Sequence, residues 1–182
     1  MTVSSGRSAG SVPAVELRGI TKRFLGVVAN SDINLTVGGG TVHALVGENG
    51  AGKSTLMKIL YGMQRPDEGT IEIDGAVVDF TTPADAIAAG ICMVHQHFML
   101  ADNLTVLENV VLGNEPGSGG RLDFASARAK IIDISSRYGL GVHPDRLIDE
   151  LGVGERQRVE ILEVLYRGAR ILILDEPIAV LV

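Results

Sequence analysis

The stretch GENGAGKST, Gly47 to Thr55, constrains this chain more than any other. It fits G-x-x-x-x-G-K-[ST], with Gly47, Gly52, Lys53 and Ser54 at the fixed positions, between an apolar run (Val42, Ala44, Leu45, Val46) and a helix-like one (Leu56 to Leu60). Strand, glycine-rich loop, helix is the context a phosphate-binding loop needs. The glycines let successive N–H groups converge on phosphate oxygens, and the helix adds its positive N-terminal end. Lys53 supplies a point charge to the β- and γ-phosphates, and the Ser54 hydroxyl a ligand for Mg²⁺. The alternative is a glycine-rich surface turn. Average residue usage would produce the four fixed positions by chance in a chain this long on the order of 1% of the time. The expected class is therefore α/β with a nucleotide site formed by Gly47, Glu48, Asn49, Gly50, Ala51, Gly52, Lys53, Ser54 and Thr55.

The chain has 182 residues, 46% of them hydrophobic, enough for one domain with a sizeable core. Its net charge of −6, with no basic block, argues against a generic nucleic-acid binder. A lone cysteine, Cys92, permits no internal disulfide; beside Ile91, Met93 and Val94 it is expected in a buried strand. No apolar stretch approaches 18 residues. Residues 1 to 13 lack the apolar core of a secretion signal and are expected to be a flexible lead-in.

From Val15 the pattern predicts short strands, Val15 to Ile20, Val27 to Val28 and Ile33 to Val37, ahead of the strand that feeds the loop. Phe24 stands in a polar, turn-like setting. It either stacks on adenine, as aromatics do on bases, or packs in the core. RPDEG (Arg65 to Gly69) signals a turn, and TIEID (Thr70 to Asp74) alternates like a hairpin strand before Gly75. Thr82, Pro83 and Asp85 open a short helix, Ala84 to Ala89, ended by Gly90 and followed by a buried strand, Ile91 to Val94. His95 and His97 lack the remaining ligands of a metal site. Gln96 between them is the better chemical candidate, because an amide can orient water or touch Mg²⁺. The section Leu100 to Glu150 is mostly helical, with helices Thr105 to Leu112 and Phe124 to Tyr138 around the break EPGSGG.

LGVGERQRVEI, Leu151 to Ile161, places small residues before a helix whose apolar positions Val159, Leu162, Leu165 and Tyr166 recur at helical spacing. By itself such a start is a weak anion-site signal. ILILDE, Ile171 to Glu176, is a continuous apolar run ending in two acids, as expected of a parallel strand buried on both faces. Ligands of such sheets gather at the carboxyl ends of the strands. Asp175 would then hold Mg²⁺ through its water shell, and Glu176 would polarise the attacking water.

In their order and spacing, GENGAGKST, Gln96, LGVGERQRVE and ILILDEP resemble the ATP-binding cassette (ABC) transporter ATPases, over about residues 14 to 182. LYGMQRPDEGTIEIDG, VHQHFMLADNLTVLENVVLG and GARILILDEP are similar to the first of the two tandem cassettes in bacterial simple-sugar and nucleoside importers. The resemblance implies a P-loop core with an N-terminal antiparallel β subdomain and an inserted helical subdomain at approximately residues 97–163. It implies that Phe24 stacks on adenine and that Gln96 contacts Mg²⁺ and the catalytic water. It further implies that Leu151, Gly152, Val153, Gly154 and Glu155 form the signature, which closes over ATP held by a second cassette. The partners implied are membrane permease subunits, that second cassette in tandem or as a dimer, and indirectly an extracytoplasmic solute-binding protein. The chain would lie in the cytoplasm on the inner face of the membrane.

Three residues depart from the family pattern. Gly152 stands where Ser is usual, Arg156 where Gln is common, and Ile178 where Thr usually follows DEP. The family's D-loop, switch histidine and closing strands do not occur by Val182, so the C-terminal part of the fold is expected to be missing. The leading functional expectation is an ATP-binding subunit energising nucleoside or sugar import; the alternative is a nucleotide-binding module unable to hydrolyse ATP alone. A soluble cassette ATPase of translation or DNA repair is a third reading, which the sugar-importer-like details disfavour.

Overall fold

The computed structural model describes residues 12–94, 99–114, 117–118 and 121–175. Two compact units divide the chain, Met1–Ile91 and Cys92–Val182. The antiparallel β subdomain and the helices expected of an α/β P-loop protein are both present.

Unit 1 is built on a four-stranded antiparallel sheet in the order β2-β1-β3-β4, formed by β1 (Val15–Phe24), β2 (Val27–Val37), β3 (Glu68–Ile73) and β4 (Ala76–Val78). Val15, Leu17 and Ile20 of β1 are buried, as are Leu35 on β2 and Ile71 and Ile73 on β3. The expected short strands are thus longer. β1 runs on through Lys22 and Arg23 because their charges meet Asp67 at 2.9 Å and Glu68 at 2.7 Å. Leu25 and Gly26 then close a hairpin in which Phe24 pairs with Val27. Asp74 and Gly75 turn β3 into β4, both with positive φ.

α1 (Lys53–Leu60) buries Leu56, Ile59 and Leu60. α2 (Pro83–Ala88) starts at Thr82 as expected. The Asp85 carboxylate accepts the N–H groups of Thr81 and Thr82 at 2.9 and 2.8 Å, bonds that hold its pKa down to about 2. The unit boundary falls within β5 (Ile91–Val94), where Cys92 is buried as expected.

One expected strand does not form. Between β2 and α1 the backbone makes only a single bridge at Val46, and Val42 and Val46 are exposed. A strand is held by a neighbour's N–H and C=O groups, and no described strand runs beside residues 42–46.

In unit 2, α3 (Val106–Val111), α4 (Phe124–Arg137) and α5 (Val153–Tyr166) pack around Val110, Ile131, Ile148, Val159 and Leu162, all essentially inaccessible. A short hairpin, β6 (Gly117–Ser118) with β7 (Arg121–Leu122), precedes α4. Thr105 and Glu108 form a reciprocal cap at the start of α3, the Glu108 N–H donating to the Thr105 hydroxyl at 3.2 Å and the Thr105 N–H to the Glu108 carboxylate at 2.8 Å. Asp123 caps α4 through the Ser126 N–H at 3.0 Å. Lys130 joins α4 to α5, its ammonium 4.1 Å from the Tyr166 ring centroid and donating to the Tyr166 carbonyl at 2.8 Å. β8 (Ile171–Leu174) lies beside β5, the Asp175 N–H donating to the Val94 carbonyl at 3.3 Å.

The expectation that Ile171 to Leu174 is buried on both faces is corrected: Ile173 is buried, whereas Leu172 is exposed and Ile171 and Leu174 are half-buried. With β5 its one described sheet neighbour, the strand has a covered face and an open one. No helix among the described residues is long and apolar enough to cross a membrane.

Candidate nucleotide site

The phosphate loop is shaped from both ends. Its entry is held by the Ala51 N–H donating back to the Glu48 carbonyl at 3.1 Å. At its exit Gly52, the N-cap of α1, takes the left-handed conformation with φ 82°. A Cβ built on Gly52 would lie 2.1 Å from the Ala29 carbonyl oxygen of β2 and 2.7 Å from the Asn30 side chain. Only glycine allows both the conformation and the approach. The loop therefore rests on β2, and α1 leaves it with its first-turn N–H groups unused by the helix itself.

Lys53, the first residue of α1, folds back over the loop. Its Nζ donates to the Gly47 carbonyl at 2.6 Å and to the Glu48 carbonyl at 2.9 Å. The ammonium is thus fixed above the loop, where an anion seated on the backbone N–H groups would meet it. Ser54 and Thr55 follow in the first turn, half-buried, while residues 47–51 are exposed. No acidic residue occupies the first turn of α1 to oppose an anion.

Phe24 sits at the tip of the β1–β2 hairpin, 44% exposed, with the Lys22 ammonium 5.7 Å from its ring centroid. The core-packing alternative for this ring is excluded by its exposure. The ring is open to stack on a flat ligand.

The motif of unit 2 has a different construction. Gly152 is the N-cap of α5 in an extended conformation, φ −66° and ψ 163°. Its N–H donates to Glu155 Oε2 at 3.1 Å, while Arg146 grips Glu155 Oε1 at 2.6 Å. The Gly152 N–H, and then Arg146, hold the Glu155 carboxyl below the usual carboxylate range. Leu151 is buried and anchors the start, whereas Val153 is exposed. Arg156, one of the departures from the family pattern, donates to the Leu151 carbonyl at 3.1 Å and to Asp102 at 2.6 Å, bracing the helix entry. Asp175 directly follows β8 in the same unit.

Gln96 and Glu176 lie outside the described residues, as do His95, His97 and Ile178. Among the described residues no cluster of three or more His, Cys, Asp or Glu could hold a metal ion. The structure thus brings the loop residues Gly47 to Thr55 together in unit 1 and the signature residues Leu151 to Glu155 together in unit 2.

Sequence reasoning passed over two polar groups. Asn30, 3% exposed on β2, donates from Nδ2 to the Gly52 carbonyl at 3.2 Å. Glu160, 8% exposed on α5, accepts the Met99 N–H at 3.0 Å, and burial raises its pKa. For Glu160 the available signal was a charged residue among the apolar positions of the helix, whereas Asn30 gave none, because the register shifts on both sides of its pair with Lys22 break the strand alternation.

Comparison with known proteins agrees with this geometry. The family pattern described as ABC transporter matches residues 30–179. The nucleoside import ATP-binding protein NupA of Lactococcus lactis is 54% identical over 167 residues, which are 92% of this chain and 33% of that protein. The guanosine import ATP-binding protein NupO of Bacillus subtilis is 53% identical with the same coverage. The chain therefore spans about a third of the length of these curated relatives. Among solved structures, CbiO1 from Clostridium perfringens, part of the ABC transporter complex cbiONQ, superposes with a TM-score of 0.77 at 27% identity, covering 92% of this chain and 66% of that one. An ATP-binding cassette of an ABC transporter in its ADP conformation gives 0.79 at 27% identity, covering 92% and 70%. A pattern that runs through the phosphate loop, the signature and the end of β8 leaves one assignment: the chain belongs to the ABC transporter family of ATP-binding cassettes.

Proposed function

We propose that this chain is the ATP-binding part of an importer, coupling ATP binding and hydrolysis to passage of a nucleoside or simple sugar through a separate membrane permease. The observation that carries the reading is the Lys53 ammonium drawn over the loop by the Gly47 and Glu48 carbonyls, in front of the N-terminus of α1. Residues Gly47 to Thr55 hold the triphosphate and Phe24 takes the adenine. The names of the relatives, nucleoside, guanosine, glucose and ribose import ATP-binding proteins, support the choice of solute class and do not favour a non-catalytic module.

Mg²⁺, when bound, neutralises charge on the β- and γ-phosphates. The Ser54 hydroxyl, Asp175 and Gln96 are oxygen donors of the kind that ion takes. Glu176 polarises the attacking water, and Gln96 orients it. The signature, Leu151 to Glu155, offers the start of α5 to ATP bound by a second cassette, in tandem or as a dimer. The helical section, approximately residues 97–163, receives the permease, a solute-binding protein acts on that permease from outside, and nucleic acid plays no part. On this reading the chain lies on the cytoplasmic face of the membrane.

The test is ATP hydrolysis by the assembled complex of this protein with its permease. Lys53→Ala and Glu176→Gln should each lower the rate by roughly 100-fold or more, the usual contribution of a positioned charge or general base. Undiminished hydrolysis in either variant would count against the assignment.

A further inference from the structure

We propose that Asn30 is a positioning residue for the phosphate loop, its carboxamide setting the direction of the Lys53 backbone N–H through the Gly52 carbonyl. The inference rests on the nucleotide-binding reading above and adds a residue outside the loop motif to that site.

Asn30 is turned inward by irregularity in the hairpin. It pairs with Lys22, and the β1–β2 register shifts on both sides of that pair, between Ile20 and Lys22 and between Lys22 and Arg23. Such a bulge re-aims a side chain that regular alternation would send elsewhere. The result is a carboxamide 3% exposed, with Nδ2 donating to the Gly52 carbonyl at 3.2 Å. The assignment of nitrogen to that contact follows from the chemistry, since a carbonyl oxygen can only accept. The same Gly52 carbonyl accepts the Leu56 N–H at 2.9 Å, the first helical bond of α1. Two donors therefore pin one oxygen.

A trans peptide is planar, with its C=O and N–H pointing in opposite directions. Fixing the Gly52 carbonyl toward β2 and α1 fixes the N–H of Lys53 the other way, among the donors a phosphate would use. The arrangement has a cost that packing does not explain. Asn30 Oδ1 is buried and has no hydrogen-bond partner among the described residues. An apolar side chain of similar volume would fill the site without that loss. The amide's return on it is the grip on Gly52.

The experiment uses the full chain and measures affinity for Mg-ATP and for inorganic triphosphate, alongside the thermal midpoint without ligand. In Asn30→Leu both affinities should fall by the same factor, roughly tenfold for one well-placed hydrogen bond, while the midpoint stays level or rises. Equal losses of ATP and triphosphate locate the effect at the phosphates rather than at the base. Should that variant fold poorly, Asn30→Asp keeps the shape and sets an acceptor against the Gly52 carbonyl; it should weaken triphosphate binding further still. Parent-like affinity in either folded variant overturns the proposal, as does a loss of affinity matched by a loss of midpoint. Failure of the parent chain to bind Mg-ATP overturns instead the reading on which the proposal rests.

Discussion

Two glycines open two helices in this protein, and they are there for different reasons. Gly52 before α1 is left-handed, and a Cβ there would strike the Ala29 carbonyl at 2.1 Å. Gly152 before α5 is extended, and its nearest neighbour to a built Cβ is a flexible Glu155 oxygen at 3.8 Å. The first glycine is dictated by the fold of unit 1. The second is not dictated by the fold of unit 2, where serine would fit. The donors differ as well. In the loop before α1 a lysine bonds the loop carbonyls; at the signature a glutamate takes the Gly152 N–H. One helix start has no acidic side chain in its first turn, while the other carries its own carboxylate.

The largest effect that would break this contrast is expected from Gly52→Ala. Left-handed alanine costs about 1–2 kcal/mol, and relief of the clash with β2 adds to it. Denaturant unfolding should show a loss of at least about 2 kcal/mol, with Mg-ATP binding gone. A folded Gly52→Ala protein of parent stability would mean that the loop does not rest on β2.

Next in size is Glu160→Gln, within α5. Burial raises the Glu160 pKa above that of the unfolded chain, so its contribution to stability is full below the unfolded value and is lost as pH rises through the folded one. Glutamine keeps the acceptor for the Met99 N–H and removes the charge. The variant should therefore gain stability over the parent as the pH is raised from about 4 to 8. A gap that shrank with rising pH would show the carboxylate to be stabilised by its surroundings. Glu155 on the same helix should behave oppositely, since its pKa is lowered by the Gly152 N–H and by Arg146: its contribution is present above the unfolded value and is lost as pH falls through the folded one.

The smallest effect sharpens the comparison most. Gly152→Ser should leave stability within about 0.5 kcal/mol, or raise it by a few tenths, because serine is a better N-cap than glycine. A loss of more than about 1 kcal/mol would show that the signature is packed as tightly as the loop.

Local signals placed most of the helices and turns well. Thr82-Pro83, Thr105 with Glu108, and Asp74-Gly75 carry their caps and turn within four residues of sequence, so their positions could be read directly. What depended on distant partners could not. β1 continues through Lys22 and Arg23 because of Asp67 and Glu68, more than 40 residues away. The run Val42 to Val46 has strand composition and no described neighbour, and composition alone makes no ladder. Leu172 is exposed for a related reason, since burial on both faces requires layers that the sequence of one strand does not specify. Within the candidate site the motif residues announced themselves, whereas Asn30 did not. Its role depends on a bulge between two strands, and no residue type at a fixed offset encodes that.

The proposal that the loop between β2 and α1, with Lys53 over it, binds a nucleoside triphosphate can be checked on the protein alone. Calorimetric titration of the full chain with Mg-ATP, run beside Lys53→Ala, tests it most directly. Saturable one-site binding is expected of the parent, weakened roughly 10- to 150-fold in the variant, the loss expected for a charged hydrogen bond to phosphate. Equal affinity in the two proteins, or no binding by the parent, would contradict it.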